Sequence, residues 1–306
     1  MAALRHLEDH QRVETLPTRC LIGRSRSCDL QLTAGDISSQ HAVVQWTGRQ
    51  WELQDLASRN GTFIDEHRLA QGERAPLRRG SRLRFARQLG GWELLDDGPP
   101  EPMARNIADG RICVGDHGFL AIPDVERPEL TLQTESSGRW VLERSGELTD
   151  VVDRTLLLVG SEEWRIYLPG PPADTLDEGG QGLCIADLRL RFAHSADEET
   201  IELVAFAGER RIDLKARAHH YPLLLLARAR VADEAQGVPL ADQGWLLQER
   251  LLGMLRIDVM HLNISIHRSR MQFAQAGVVD AARLVERRQG TRQVRLGVGR
   301  IEMVLL

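Results

Sequence analysis

Over its first 97 residues this chain alternates apolar and polar side chains in short bursts, with Gly, Asn and Asp turns between them. Residues 19–23, 42–46, 51–56 and 92–95 set the pattern, and 12–16, 29–32 and 82–86 follow it more loosely. A period of two sends one set of side chains into a core and the other into water, which is the spacing of a strand and not of a helix. Many short strands with frequent turns predict a β-sandwich.

Two breaks rich in Pro and Gly, at 96–102 and 169–180, cut the sequence into three. At 306 residues the chain is also too long for one core. We therefore expect domains at residues 1–97, 105–172 and 182–306. The middle segment again reads as strands, at 111–115, 130–134, 139–143, 155–160 and 164–168. Residues 137–142 parallel 47–53, and 164–172 parallel 92–100, so the segment reads as a worn copy of the first. The third segment opens with strands and passes to helices. One starts at Tyr221, one covers Trp245–Leu252, and one runs from a cap at Asp258 to Ala276. A β-hairpin about Gln289 and Gly290 follows. The fold class is thus multidomain and mainly β, with an α+β end.

Cys20, Cys28, Cys113 and Cys184 show no paired spacing, which fits small buried thiols in a reducing compartment better than a disulfide framework or zinc. The first residues carry acids and no apolar core, so no signal peptide is read there. The longest greasy stretch, Pro222–Ala227, is too short for a bilayer. A cytoplasmic protein with no membrane partner, no metal and no cofactor is expected. His219 and His220 lack a ligand partner at metal spacing, so exposure or capping is expected of them. No nucleophile elbow, phosphate-binding Gly loop or metal cluster is legible, and no enzyme is expected.

Three blocks in the first segment carry chemistry: Ile22-Gly23-Arg24-Ser25, Ile37-Ser38-Ser39-Gln40-His41, and the run from Asp55 through Ser58, Arg59, Asn60 and Gly61 to Thr62. Asn-Gly alone is a common hairpin turn. Three such blocks in order resemble the forkhead-associated (FHA) family over about the first third of the chain. The resemblance implies a domain that binds phosphothreonine peptides. A phosphothreonine brings nearly two negative charges and three acceptor oxygens. Holding it takes a guanidinium fork, short hydroxyl donors and free backbone N–H groups on loops of a stiff frame. Arg24 supplies the fork and Ser38 a hydroxyl, and Gly23 lets the chain turn close to the ligand. By resemblance Arg24 and Ser38 contact the phosphate, and Asn60 holds the peptide backbone. Arg59 stands where many relatives carry a threonine that touches phosphate, and Ser39 where many carry Arg or Asn. His41, Gly61 and Thr62 brace the loops. If residues 113–116 align with the first block, Asp116 replaces the arginine, and the degenerate FHA-like copy cannot bind phosphothreonine in the same way.

The net charge is −5, yet from Leu251 onward nine arginines face four carboxylates. Concentrated positive charge beside a helix and a hairpin is the footprint of a duplex partner. On the third helix Val259, Leu262, Ile266 and Phe273 form an inward stripe, and Ser265, His267, Arg268, Arg270 and Gln272 flank or oppose it. The segment resembles the winged-helix DNA-binding domain of response-regulator transcription factors, with residues 262–273 tracking the recognition helix. That resemblance implies double-stranded DNA at Ser265, His267, Arg268 and Arg270, with wing support from Arg288 and Arg292. Ile264 and Met271 add apolar surface outside, so a protein-docking winged helix and a merely solvated basic face stay open beside the DNA reader. The reading that joins both ends is a bacterial-type transcription regulator serving a Ser/Thr kinase. Its alternative is a signalling adaptor that binds protein at both ends.

Overall fold

The alternation in the first segment resolves into two antiparallel-dominated sheets. In the computed structural model, which describes residues 1–87, 90–135, 137–170, 183–197, 199–288 and 290–306, one sheet has six strands and the other five. The five-stranded sheet is ordered Leu30–Gln31, Arg19–Gly23, Ala42–Trp46, Trp51–Asp55, Arg74–Leu77. Its hairpin pairs Trp46 with Trp51 across a turn at Gly48, where φ is +94°. Trp51, Leu53 and Asp55 point inward, and Glu52 and Gln54 are half-buried between them. The six-stranded sheet contributes Phe85, Trp92 and Leu94 to the same core. Burial of Trp51 and Trp92, both 0% exposed, stabilises the sandwich by roughly 4–6 kcal/mol each before entropy is counted. The Trp51 indole N–H donates to the Gly98 carbonyl at 2.9 Å, so the start of the first break is tied down.

The described chain divides into two compact units. Residues 1–103 cluster with 166–170, and 104–165 cluster with 183–306. The turn residue Gln289 and most of the second break, 171–182, lie outside the described residues. Within the first unit Tyr167 and Leu168 are buried, and the Tyr167 hydroxyl donates to Asp29 Oδ1 at 3.2 Å. Asp29 Oδ2 accepts from the Leu21 N–H at 2.8 Å, which ties the loop 24–29 to its own strand. Tyr167→Phe is expected to lower the stability of this unit by about 1.5 kcal/mol in urea denaturation. An unchanged midpoint would show that the Tyr167–Asp29 bond is not stabilising.

In the second unit the middle segment contributes a four-stranded sheet ordered Phe119–Ile122, Leu130–Thr134, Trp140–Arg144, Glu147–Asp150. The later residues form a second four-stranded sheet in which Arg300–Leu305 runs parallel to Arg189–His194. Three helices follow that sheet's first three strands in sequence: α1 (Tyr221–Ala235), α2 (Gln248–Leu255) and α3 (Val259–Gln275). Asp258 caps α3 as its sequence position predicts, accepting from the His261 N–H at 2.8 Å. Strand Leu246–Leu247 precedes α2 and pairs with Gln293–Leu296, which also pairs with Val285–Arg288. Leu262, Ile266 and Phe273 of α3 join Leu223, Leu226 and Phe192 in one core, and Phe119 of the middle sheet belongs to the same core. No helix among the described residues is long and apolar enough to cross a membrane.

Candidate functional site

Three loops of the first unit meet through backbone and side-chain hydrogen bonds. The N–H groups of Arg24 and Ser25 donate to the carbonyls of Ser38 and Ser39, both at 3.0 Å. Arg24 Nε donates to the Ile37 carbonyl at 3.2 Å, and its terminal nitrogens carry no partner among the described residues. The Arg59 N–H donates to Ser38 Oγ at 3.1 Å, which leaves the Ser38 hydroxyl proton free to donate onward. Asn60 Nδ2 donates to the Asp36 carbonyl at 2.6 Å, leaving its Oδ1 as an acceptor for a peptide N–H. Arg24, Ser38, Arg59 and Asn60 therefore lie on loops that these bonds hold side by side, around one candidate cleft. Ser39 borders it through its backbone, and its side chain is exposed.

Gly23 has a packing reason beside the one its sequence position suggests. A β-carbon there would collide with the Ser39 carbonyl oxygen, so the glycine serves the approach of two loops. His41, 0% exposed, stitches the other two. Its Nδ1 accepts from the Ser38 N–H at 3.1 Å, so its protonated Nε2 donates to the Gly61 carbonyl at 3.1 Å. Burial lowers its pKa, in keeping with this neutral tautomer.

The brace that sequence reasoning missed is Asp55, 1% exposed. Its carboxylate accepts from the Ser58 N–H at 3.0 Å, the Ser58 hydroxyl at 2.5 Å and the Thr62 hydroxyl at 2.6 Å. Ser58 Oγ in turn accepts from the Gly61 N–H at 3.1 Å. The signal was present in the spacing of Asp55, Ser58 and Thr62 inside the third block. Asp55→Ala strands several buried donors, and a loss of about 3 kcal/mol in stability is expected, read by thermal or urea unfolding. A loss under about 1 kcal/mol would show that the loop holds without it.

A family model described as the FHA domain matches residues 20–86, which hold all three blocks and this cleft. Residues 20–86 are an FHA domain. An FHA domain is a phosphopeptide-binding module and not a catalyst. The FHA domain-containing protein FhaB of Mycobacterium tuberculosis is 37% identical over 57 residues, which is 19% of this chain and 37% of FhaB. Protein phosphatase 2C 70 of Arabidopsis thaliana is 29% identical over 85 residues, 27% of this chain and 14% of that protein. The chain thus spans little more than a third of the length of FhaB. Among solved structures, Mycobacterium tuberculosis EmbR in complex with a low affinity phosphopeptide is similar over 32% of this chain and 25% of that one, at 24% identity and a TM-score of 0.29. The N-terminal FHA domain of S. cerevisiae Rad53p, in complex with a phosphothreonine peptide, is similar over 30% of this chain and 89% of that one, at 15% identity and a TM-score of 0.28.

Beyond the FHA domain, the residues expected to reach DNA differ in exposure. Arg270 and His267 depart most from that expectation. Arg270 is 3% exposed, donating to Glu143 Oε2 at 3.0 Å and to the Val285 carbonyl at 2.7 Å. His267, 7% exposed, packs edge-on against Phe119 with ring centroids 6.0 Å apart. Both turn inward because the middle sheet lies against the α3 face that the sequence left free. Ser265 is half-buried and donates back to the His261 carbonyl of its own helix at 2.9 Å. Arg268 is exposed and paired with Glu126 at 2.6 Å. Arg288 pairs with Asp242 at 3.0 Å and lies over the Trp245 ring, and Arg292 is exposed. Of the expected exposure or capping, exposure is not seen, since His220 is fully buried and His219 half-buried, and His220 stands at the N-cap of α1 without a side-chain capping bond. Gln272 donates to the Leu214 carbonyl at 2.6 Å, which turns its Oε1 to accept from both histidines. Gln272 therefore holds the base of α3 and is not an outward contact.

Proposed function

We propose that this chain is a phosphothreonine-reading signalling protein that serves a Ser/Thr kinase, with its second unit as the output. The observation that supports the reading is that hydrogen bonds hold the loops carrying Arg24, Ser38, Arg59 and Asn60 together, with the terminal nitrogens of Arg24 unpartnered among the described residues. Three or four charge-assisted bonds of about 1.5–3 kcal/mol each offset the ordering of a flexible peptide and leave micromolar affinity. A pocketed threonine methyl adds roughly 1–3 kcal/mol over serine. Calorimetry on the full chain with one peptide in its phosphothreonine, phosphoserine and unmodified forms tests it. Equal affinity for all three forms would overturn the reading.

For the output we propose a winged helix at residues 182–306 that regulates transcription by binding double-stranded DNA. The support is its element order: a sheet, α1, a short strand, α2, a tight connection, α3, and a hairpin whose inner strand pairs with the short strand. In this reading Arg268, Arg288, Arg292 and Ser265 face the duplex, and Arg270 and His267 reach it only if uncovered. The middle segment, 105–172, is read as a degenerate FHA-like copy. Its Trp140 and Trp164 are buried in strands as Trp51 and Trp92 are. A second reading, an adaptor that docks protein through this unit, is favoured by the burial of Arg270 and His267 against another sheet. Selection from a random duplex pool separates the two, because a DNA reader enriches a sequence and loses affinity steeply with salt.

A further inference from the structure

Glu143, on strand Trp140–Arg144, is bound by two guanidinium groups at once. Arg270 of α3 reaches one carboxylate oxygen at 3.0 Å, and Arg287 of strand Val285–Arg288 reaches the other. All three side chains are at least 95% buried. Arg287 also donates to Asn263 Oδ1 of α3 at 3.2 Å and to Gln248 Oε1 of α2 at 2.8 Å. One carboxylate therefore gathers α2, α3 and the hairpin onto the middle sheet. Outside this centre Glu126, 75% exposed, pairs with Arg268 at 2.6 Å. Both acidic contacts come from the middle segment and both land on arginines of α3.

Two guanidinium groups around a single anion form an arrangement suited to a phosphodiester, since each offers a fork of donors to charged oxygens. Such a pair, on a helix and an adjoining hairpin, is laid out as a nucleic-acid backbone contact would be. We propose that Arg270 and Arg287 form a DNA phosphate site which Glu143 occupies at rest, so that the sheet Phe119–Asp150 gates α3 within its own unit. This rests on the DNA-binding reading of the second unit. It explains why the positive charge of the C-terminal segment is partly sequestered, and it assigns the middle segment a role as the resident occupant of the α3 face. The gate opens when the carboxylate leaves and the two arginines gain access to solvent.

The test uses the full chain with Glu143→Gln, which keeps shape and removes charge, beside the double variant Glu143→Gln with Arg270→Gln. Two quantities are read. One is amide hydrogen exchange across residues 263–273 and 140–144 without DNA, and the other is binding to a fluorescent random-sequence duplex over a range of salt. The proposal expects exchange at least tenfold faster in both segments and duplex affinity at least tenfold tighter. The salt slope should steepen by about two, one for each released arginine, and the double variant should lose the affinity gain. Unchanged exchange overturns the gate. Wild-type binding to duplex with no gain in Glu143→Gln also overturns it while leaving the DNA reading intact. No duplex binding by either protein, with faster exchange, sinks the DNA reading and the phosphate site together. Should Glu143→Gln not fold cooperatively, the wild type decides. Saturating duplex then lowers protection at 140–144 if the sheet leaves, and unchanged or raised protection there overturns the gate.

Discussion

Replacing Arg24 by alanine is expected to weaken phosphothreonine-peptide binding at least about 100-fold and to leave the unfolding of the FHA domain unchanged. The side chain is exposed and contributes one bond to the fold, from Nε to the Ile37 carbonyl. Its terminal nitrogens have no partner among the described residues, which leaves them for the phosphate in the proposed reading. Losing two charge-assisted bonds of roughly 1.5–3 kcal/mol each accounts for the factor. Backbone bonds from Arg24 and Ser25 to the next loop do not depend on the side chain, and the cleft should persist. Calorimetry gives the affinity and a thermal melt gives the stability. Retained affinity would mean that the phosphate is bound elsewhere, and a collapsed melt would mean that Arg24 is structural.

The second large effect is expected on acidification. Burial, and then the neighbouring Arg270, lower the His267 pKa to about 4. Burial alone is the main cause for His220, also lowered to about 4 and opposed by its bond to Gln272. Each histidine has a higher pKa unfolded, near 6.5, so the unfolded chain takes up the proton first as pH falls. Stability from these groups is complete above pH 6.5 and is lost as pH falls toward 4, on the order of 3 kcal/mol for each. Glu143 acts lower on the scale. Burial pushes its carboxyl up, but Arg287 and Arg270 outweigh that and hold it at about 2. Its contribution is present above its unfolded pKa of about 4.5 and fades from there down. Urea titrations of the full chain at pH 7.5, 5.5 and 4.5 should show a steep fall in the stability of the second unit. A flat profile would mean that neither histidine is buried neutral.

Legibility followed locality. Strands with clean alternation, such as Trp51–Asp55, were readable because neighbours in sequence decide which face they bury. Arg74–Leu77 was not, since Pro76 breaks the strand pattern and the segment earns its place only by pairing with Trp51–Gln54. Arg300–Leu305 was not seen as the partner of Arg189–His194, because a parallel pairing over that separation leaves no local mark. The FHA domain was legible in its three blocks, which all fall inside the matched residues 20–86. Its buried support was less so, because Asp55 reads as an ordinary turn residue until its three bonds are seen. The basic face of α3 misled for a physical reason. Charge on a helix is normally solvated, and only a carboxylate on a distant strand, Glu143, makes burial of Arg270 tolerable.

The pegging of the recognition loops by Asp55 and His41 has a practical consequence for anyone tracing this pathway in cells. In the proposed reading, loops tied by these bonds before a ligand arrives are poorly placed to remould around a flat, singly charged group in place of a tetrahedral dianion. Glutamate or aspartate placed at the partner's threonine, the usual way to imitate permanent modification, should register as silence and be mistaken for proof that the site is unimportant.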